Sequence, residues 1–242
     1  MNSTIEHNKE REIATAEERK DSPTAQSKPF GPEWGSAYWG KWQTARFALL
    51  ALGVRGGASV LDVGMGAGWT TVFLAESGYL PTGVDIAPAH IELAQQRAAR
   101  VGVDADFIAA DMDTLDLGRT FDAALVFDAL HHTTRQSTVI KRIADHLVPG
   151  GWVLFGEPSW LHGLSPHARR TSRDLGWVER GIRVRTLKRD CSANGLGNFR
   201  RFFEGTSPYE SLSGFGVQLG RLVAARCSSA PQMSVWIAAQ KL

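Results

Sequence analysis

Short apolar runs bounded by glycines alternate with segments of helical period through the middle of the chain. Ser59–Val63 (SVLDV) reads as a buried strand that runs into a glycine turn at Gly64–Gly68. A helix over Thr70–Ser77, stopped by Gly78, leads to a strand over Leu80–Asp85. A second helix is expected over Ala87–Arg100, stopped by Gly102, then a short strand over Ala105–Ala109 and a longer one over Phe121–Phe127. Thr138–Leu147 reads as a helix broken by Val148-Pro149-Gly150-Gly151, and Trp152–Phe155 as a fifth strand. Strands that alternate with helices of about 10–15 residues imply right-handed crossovers and a parallel sheet covered on both faces. The expected fold class is α/β, doubly wound.

The flanks lack this rhythm. Residues 1–28 are polar and mixed in charge, with few large apolar side chains to pack, and are expected to be a mobile tail. Order is expected to begin near Phe30, where Trp34, Tyr38, Trp39 and Trp42 crowd into one window. Trp39, Trp42, Phe47, Leu50 and Leu52 suit the buried stripe of a helix over Ser36–Leu52. After Glu157 the pattern lapses, and residues 158–185 carry Arg169, Arg170, Arg173, Arg180, Arg183 and Arg185. A helix over Thr186–Asn194 and strands over Asn198–Glu204 and Ser234–Ala239 close the chain, with part of 210–226 expected as a helix between the strands. Two closing strands without an evident right-handed crossover suggest an antiparallel edge. One domain is expected over 29–242, with an N-terminal helix or lid (30–57), a core (58–157), an insertion (158–185) and the closing elements (186–242).

Composition narrows the classes. At 242 residues, 43% hydrophobic and 21% charged, the chain can bury a core without disulfide or metal staples. Cys191 and Cys227 are its only cysteines and form no CxxC, so a disulfide scaffold and a thiolate metal cluster are excluded. No stretch of about 18 apolar residues predicts a membrane span. The first residues lack an apolar signal core, so a cytoplasmic protein is expected. The net charge of +2 conceals a division: residues 1–157 hold 14 basic and 20 acidic side chains, residues 158–242 hold 13 and 5.

The acidic part carries the chemistry. Val60–Gly68 is a strand leading into D-x-G-x-G-x-G, whose glycines permit positive φ and close backbone approach at the switch point of such a sheet. The turn departs from the dinucleotide fingerprint, with Trp69 where the last glycine is needed, and Asp62 favours a cationic ligand over a pyrophosphate. A nicotinamide-dependent oxidoreductase is therefore disfavoured. Asp85 ends the second strand, where a carboxylate can accept ribose hydroxyls. Asp111-Met112 follows the third, placed to accept an adenine amino proton and offer an apolar neighbour. Phe127-Asp128-Ala129-Leu130-His131-His132 leaves the fourth strand at the same edge.

On these residues the sequence resembles the class I S-adenosylmethionine-dependent methyltransferases of small-molecule type. Asp62–Gly68 matches the family's first motif, with Met65 where Cys is common and Ala67 where Ser or Thr is common. Asp85 matches its ribose-binding acid, Asp111-Met112 its adenine-contacting pair, and Leu147–Gly151 its L-x-P-G-G turn. The resemblance implies a seven-stranded sheet of order 3-2-1-4-5-7-6 with strand 7 antiparallel. It implies S-adenosyl-L-methionine as cofactor, held by Asp62, Gly64, Gly66, Gly68, Asp85 and Ile86, with Asp111, Met112, Phe127 and Tyr38 completing the site. Residues 58–157 become the cofactor-binding core and 158–185 an acceptor-side insertion.

The implied reaction is methyl transfer to a small-molecule acceptor, with an oxygen of a saccharide or secondary metabolite preferred on account of the paired histidines. A hydroxyl acceptor benefits from a base, worth roughly 10²–10⁴-fold, and histidine titrates in the right range. His132 is the first candidate and His131 the second; the alternative is that both only shape or line the pocket. Glu157 is a further candidate base or substrate-binding acid, or else a carboxylate that caps a turn. His162 and His167 are weaker candidates for the acceptor pocket. The arginines suit an anionic acceptor or a solvated face. Nucleic acid is disfavoured, because Asp128-Ala129-Leu130-His131 stands where nucleobase amine methyltransferases carry N-P-P-Y or D-P-P-Y. Methylation of RNA or protein, and a cofactor-binding protein without transfer activity, remain the alternatives. No metal site is expected.

Overall fold

The computed structural model describes residues 2–29, 37–175, 179–204 and 234–242. Among these, seven strands form one sheet: β1 (Ser59–Val63), β2 (Leu80–Asp85), β3 (Asp106–Ala109), β4 (Phe121–Phe127), β5 (Leu147–Pro158), β6 (Leu196–Phe202) and β7 (Ser234–Lys241). Their order is β3-β2-β1-β4-β5-β7-β6. The first five pair in parallel, and β7 runs antiparallel to both β5 and β6. The fold is the doubly wound α/β architecture expected, with the antiparallel edge in place. Among the described residues no helix is long and apolar enough to cross a membrane.

Side chains alternate between two apolar layers, as the two-residue period of a strand requires. In β4, Ala124 and Val126 enter one layer, while Ala123, Leu125 and Phe127 enter the other. The first layer is closed by α6 (Gln136–Asp145), through Val139, Ile140 and Ile143, and by α8 (Val184–Ala193), through Leu187 and Cys191. The second is closed by α3 (Ala37–Ala51) and α4 (Trp69–Glu76). Each large aliphatic or Phe side chain so buried contributes roughly 1.5–3 kcal/mol over exposure, so these layers hold the sheet in place between its helices. α5 (Pro88–Val101) begins with proline in its first turn and ends at Gly102, whose φ of 73° lets its N–H reach the Ala98 carbonyl.

Three expectations are corrected. The helix after Phe30 buries Trp42, Ala45, Ala48, Leu49 and Leu52, whereas Trp39, Phe47 and Leu50 are 45%, 65% and 56% exposed. The alanines complete a stripe at helical spacing that a search for bulky residues passes over. The fifth strand is longer than expected, because Leu147 pairs with Phe121 and Trp152 with Ala123, leaving Pro149 and Gly150 within an irregular ladder. The first 28 residues, expected as a tail, form α1 (Asn2–Arg19) and α2 (Pro23–Ser27). Ile13 and Ala16 of α1 pack on Ala87 and Ala89 at the start of α5, and Arg97 of α5 donates to the carbonyls of Ala25, Gln26 and Lys28. The irregular stretch after Glu157 contains α7 (Pro166–Leu175). Trp34 and the helix expected within 210–226 lie outside the described residues, as does the side chain of His167.

Candidate active site

The glycine turn between β1 and α4 is held from three directions. Gly64, Gly66 and Gly68 all have positive φ. A Cβ on Gly64 would lie 2.5 Å from the Ala129 Cβ, and one on Gly68 2.3 Å from the Ala94 Cβ, so the loop after β4 and helix α5 press against the turn. A Cβ on Gly66 would meet nothing within 4 Å, and the Gly66 N–H donates to Asp85 Oδ2 at 2.9 Å. Asp62 lies buried at the end of β1. Its Oδ2 accepts from the Thr70 and Thr71 hydroxyls at 2.6 Å each, and its Oδ1 has no partner. Burial pushes the Asp62 carboxyl up to about 6, against the hydroxyls' opposing effect. An unpaired buried carboxylate oxygen beside an open glycine turn is a place for a cationic donor.

The next strands supply two more carboxylates. Asp85 Oδ1 accepts from the Ala87 N–H at 3.0 Å and from His90 Nδ1 at 2.9 Å, so the group is clamped while Oδ2 keeps capacity beyond Gly66. Asp111 Oδ1 accepts from the Asp113 N–H at 2.9 Å. Ile86 and Met112 are half-buried beside them, Met112 against the core layer. Lys9 of α1 reaches over this edge, 2.6 Å from Asp111 Oδ2 and 2.8 Å from Asp113 Oδ2. Burial pushes the neighbouring Glu12 up to about 7, reinforced by the charge of Asp85. Helix α1 therefore lies across the ends of β2 and β3. Its signal in the sequence was Lys9, Glu12, Ile13 and Ala16, recurring at helical spacing in a segment whose charges drew attention instead.

Phe127 faces the aromatic layer. Its ring meets Trp69 edge-on at 5.3 Å and Tyr38 at 6.4 Å, and Trp69 lies under the glycine turn against Tyr38 and Trp42. Lys41 of α3 crosses both rings, 5.1 Å from the Tyr38 centroid and 5.6 Å from that of Phe127, to pair with Asp128 Oδ2 at 2.7 Å. Burial of Asp128 opposes ionisation, but Lys41 and His131 outweigh it and hold the carboxyl below the usual range. Lys41 and Asp128, whose φ is 49°, join the site without having been anticipated.

Beyond β4 the structure gathers groups from four segments. Glu157 is fully buried; its Oε1 accepts from the Ala129 and Leu130 N–H groups at 2.9 Å each, and its Oε2 from His131 Nδ1 at 2.8 Å. Glu157 thus stands behind His131 and shapes its turn. Burial lowers the imidazole's affinity for a proton, but Glu157 outweighs it and holds the His131 pKa above its ordinary value. The far side of His131 faces Glu179, with Nε2 3.6 Å from Oε2. Glu179 also has His132 Nδ1 at 4.0 Å and His162 Nε2 at 2.7 Å. Burial pushes the Glu179 carboxyl up, yet the His162 hydrogen bond and the other imidazoles bring it below its ordinary value. Glu179 was missed because nothing local marks it.

The side chains of the arginines point to solvent. Arg169, Arg170, Arg173, Arg180, Arg183 and Arg185 are exposed, with Arg173 on Asp174 and the Arg183 guanidinium 5.6 Å from the Trp160 ring. Cys191 is a free buried thiol, pushed up to about 12 by burial, and takes no part in the edge.

A glycine turn and strand-end carboxylates converging on one edge define a nucleoside-binding α/β domain. A methyltransferase domain model matches residues 60–151. The ubiquinone biosynthesis O-methyltransferase of Idiomarina loihiensis is 32% identical over 132 residues, 52% of this chain and 53% of that protein. The chain spans about half the length of the curated relatives it matches. Magnesium protoporphyrin IX methyltransferase from Synechocystis, solved with S-adenosylhomocysteine, superposes with a TM-score of 0.67 at 18% identity, covering 96% of this chain and 100% of that one. The N-methyltransferase NodS of Bradyrhizobium japonicum, also with S-adenosylhomocysteine, gives 0.62 at 19% identity over 95% and 97%. Residues 60–151 thus carry a methyltransferase domain, and the fold is similar to that of solved S-adenosylmethionine-dependent methyltransferases.

Proposed function

We propose that the protein transfers a methyl group from S-adenosylmethionine to a hydroxyl oxygen of a small-molecule acceptor. The observation that carries this reading is the adjacency of two built groups: an open Gly66 tied to Asp85, and a His131 braced by Glu157 at the end of the neighbouring strand. The unpaired Asp62 Oδ1 suits the cofactor's ammonium, Asp85 its ribose hydroxyls, and Asp111 with Met112 its adenine. When bound, the cofactor supplies a methyl group already activated on sulfonium. The remaining work of the chain is to orient the acceptor, exclude water and dispose of one proton. The cluster of His131, His132, His162 and Glu179 is where the acceptor oxygen loses that proton, with Glu157 and Glu179 as positioning residues. Relatives named O-methyltransferases support oxygen as the acceptor atom. The exposed arginines support an anionic acceptor only as a screened field, so Arg169→Ala with Arg173→Ala is expected to raise KM about threefold or less.

Calorimetry is expected to give binding of S-adenosylhomocysteine, and labelled cofactor with a fractionated cell extract is expected to mark a small metabolite. Tight binding of a nicotinamide dinucleotide, with neither adenosyl ligand bound, would sink the reading. Label in RNA or protein would replace the acceptor class. Cofactor binding without label in any fraction would favour a non-catalytic role.

A further inference from the structure

We infer that His131, His132 and Glu179 form a binding site for a divalent transition-metal cation of zinc's type. One ligand atom from each of His131, His132 and Glu179 lies within 4.8 Å of the other two. A tetrahedral ion with bonds of about 2.0–2.2 Å holds its ligand atoms about 3.3–3.6 Å apart. The two histidine nitrogens already stand 3.6 Å and 4.0 Å from Glu179 oxygens, so a small inward movement closes the set.

What surrounds these atoms is arranged as a ligand shell requires. Glu157 takes the Nδ1–H of His131 at 2.8 Å, which leaves the lone pair on Nε2, the nitrogen that faces Glu179. A carboxylate behind a histidine fixes its tautomer and strengthens it as a ligand. His162 Nε2 donates to Glu179 Oε2 at 2.7 Å and orients that carboxylate in the same way. The Arg180 N–H donates to the His131 carbonyl at 3.4 Å and the Ile182 N–H to that of Pro158 at 2.8 Å, so backbone bonds fasten the Glu179 segment to the histidine turn.

Imidazole and carboxylate donors suit zinc and its first-row neighbours better than magnesium or calcium. Three protein ligands leave a coordination position open, as in catalytic sites and unlike closed structural ones. That this position receives an acceptor oxygen rests on the methyl-transfer reading; binding of the cation does not. The competing account is a proton network of His131, His132, His162 and Glu179 without an ion.

The full chain, stripped with EDTA, is titrated with zinc chloride by calorimetry and with Co²⁺ as an optical probe. One ion per chain is expected, with visible absorption from the Co²⁺ form. Glu179→Gln, which keeps size and hydrogen bonding, and His132→Ala, at a partly exposed site, are each expected to weaken binding at least about 10–100-fold. Their thermal melts check the fold, and their affinity for S-adenosylhomocysteine is expected to stay at the wild-type value. Absence of stoichiometric zinc binding, or binding that both variants retain, overturns the site. Zinc binding by a wild-type chain that takes no S-adenosylhomocysteine would leave the cation site standing and remove the methyl-transfer reading.

Discussion

At the ends of β1, β2 and β3 the candidate side chains are held mostly by near neighbours: Asp62 by Thr70 and Thr71, Asp85 by Ala87 and His90, Asp111 by Asp113. At the ends of β4 and β5 the partners come from far along the chain: His131 from Glu157 and Glu179, Asp128 from Lys41. The first region is a set of strand–turn–helix units, each carrying its own hydrogen bonds and lined up by the sheet. The second exists only once separate segments have packed. The two regions should therefore fail differently when disturbed.

The largest effect is expected from Glu157→Ala. It strips a buried imidazole of its partner and the turn of its acceptor, which costs about 3–5 kcal/mol. Urea unfolding should show that loss, while the folded fraction keeps its affinity for S-adenosylhomocysteine. A parallel fall in affinity would show that the two regions are one unit. Asp85→Ala should do the reverse, weakening that affinity about 10²-fold through lost charge-assisted hydrogen bonds. Its loss of stability, from the same urea curves, should be smaller than that of Glu157→Ala.

A pH series sharpens the comparison within the first region. Burial pushes the Asp62 carboxyl up to about 6 in the folded chain, from an ordinary 3.8. The folded state therefore binds the extra proton, so this stability is full below 3.8 and lost as pH rises through 6. Relative to wild type, Asp62→Asn should gain about 2 kcal/mol between pH 4.5 and 7.5. No relative change in urea midpoint would mean that Asp62 is not desolvated by the turn.

The smallest effect is expected at α1. Lys9→Ala removes pairing to Asp111 and Asp113, worth about 1 kcal/mol at a partly exposed site, and should speed amide exchange along the helix. Burial pushes the Glu12 carboxyl up to about 7 where α1 is docked, from an ordinary 4.5. Its contribution favours docking below 4.5 and is lost as pH rises through 7. Protection of α1 should fall across that window in wild type and not in Glu12→Gln.

Local pattern made β1, β2 and β4 readable to the residue, because short apolar runs bounded by polar or glycine positions leave little choice of boundary. The cofactor-side carboxylates were readable for the same reason: strand ends are fixed by pattern, and the sheet brings strand ends together. On α3 the pattern misled, since alanines at Ala45 and Ala48 mark the buried face while Phe47 and Leu50 lie outside. Helix α1 was hidden because its docking depends on Lys9 meeting two aspartates from another unit.

By itself, then, the sequence determined the order of strands and helices from β1 to β5, the glycine turn and the row of acids at Asp62, Asp85 and Asp111. These follow from periodicity and backbone conformation, which act over a few residues. Only the tertiary structure decided that Glu157 stands behind His131, that Glu179 and His162 close on the other side, and that Lys9 crosses the β3 edge. Those contacts join residues with no common local signal. They form because burial leaves each charged or polar group to find its partner in whatever segment packing has brought near.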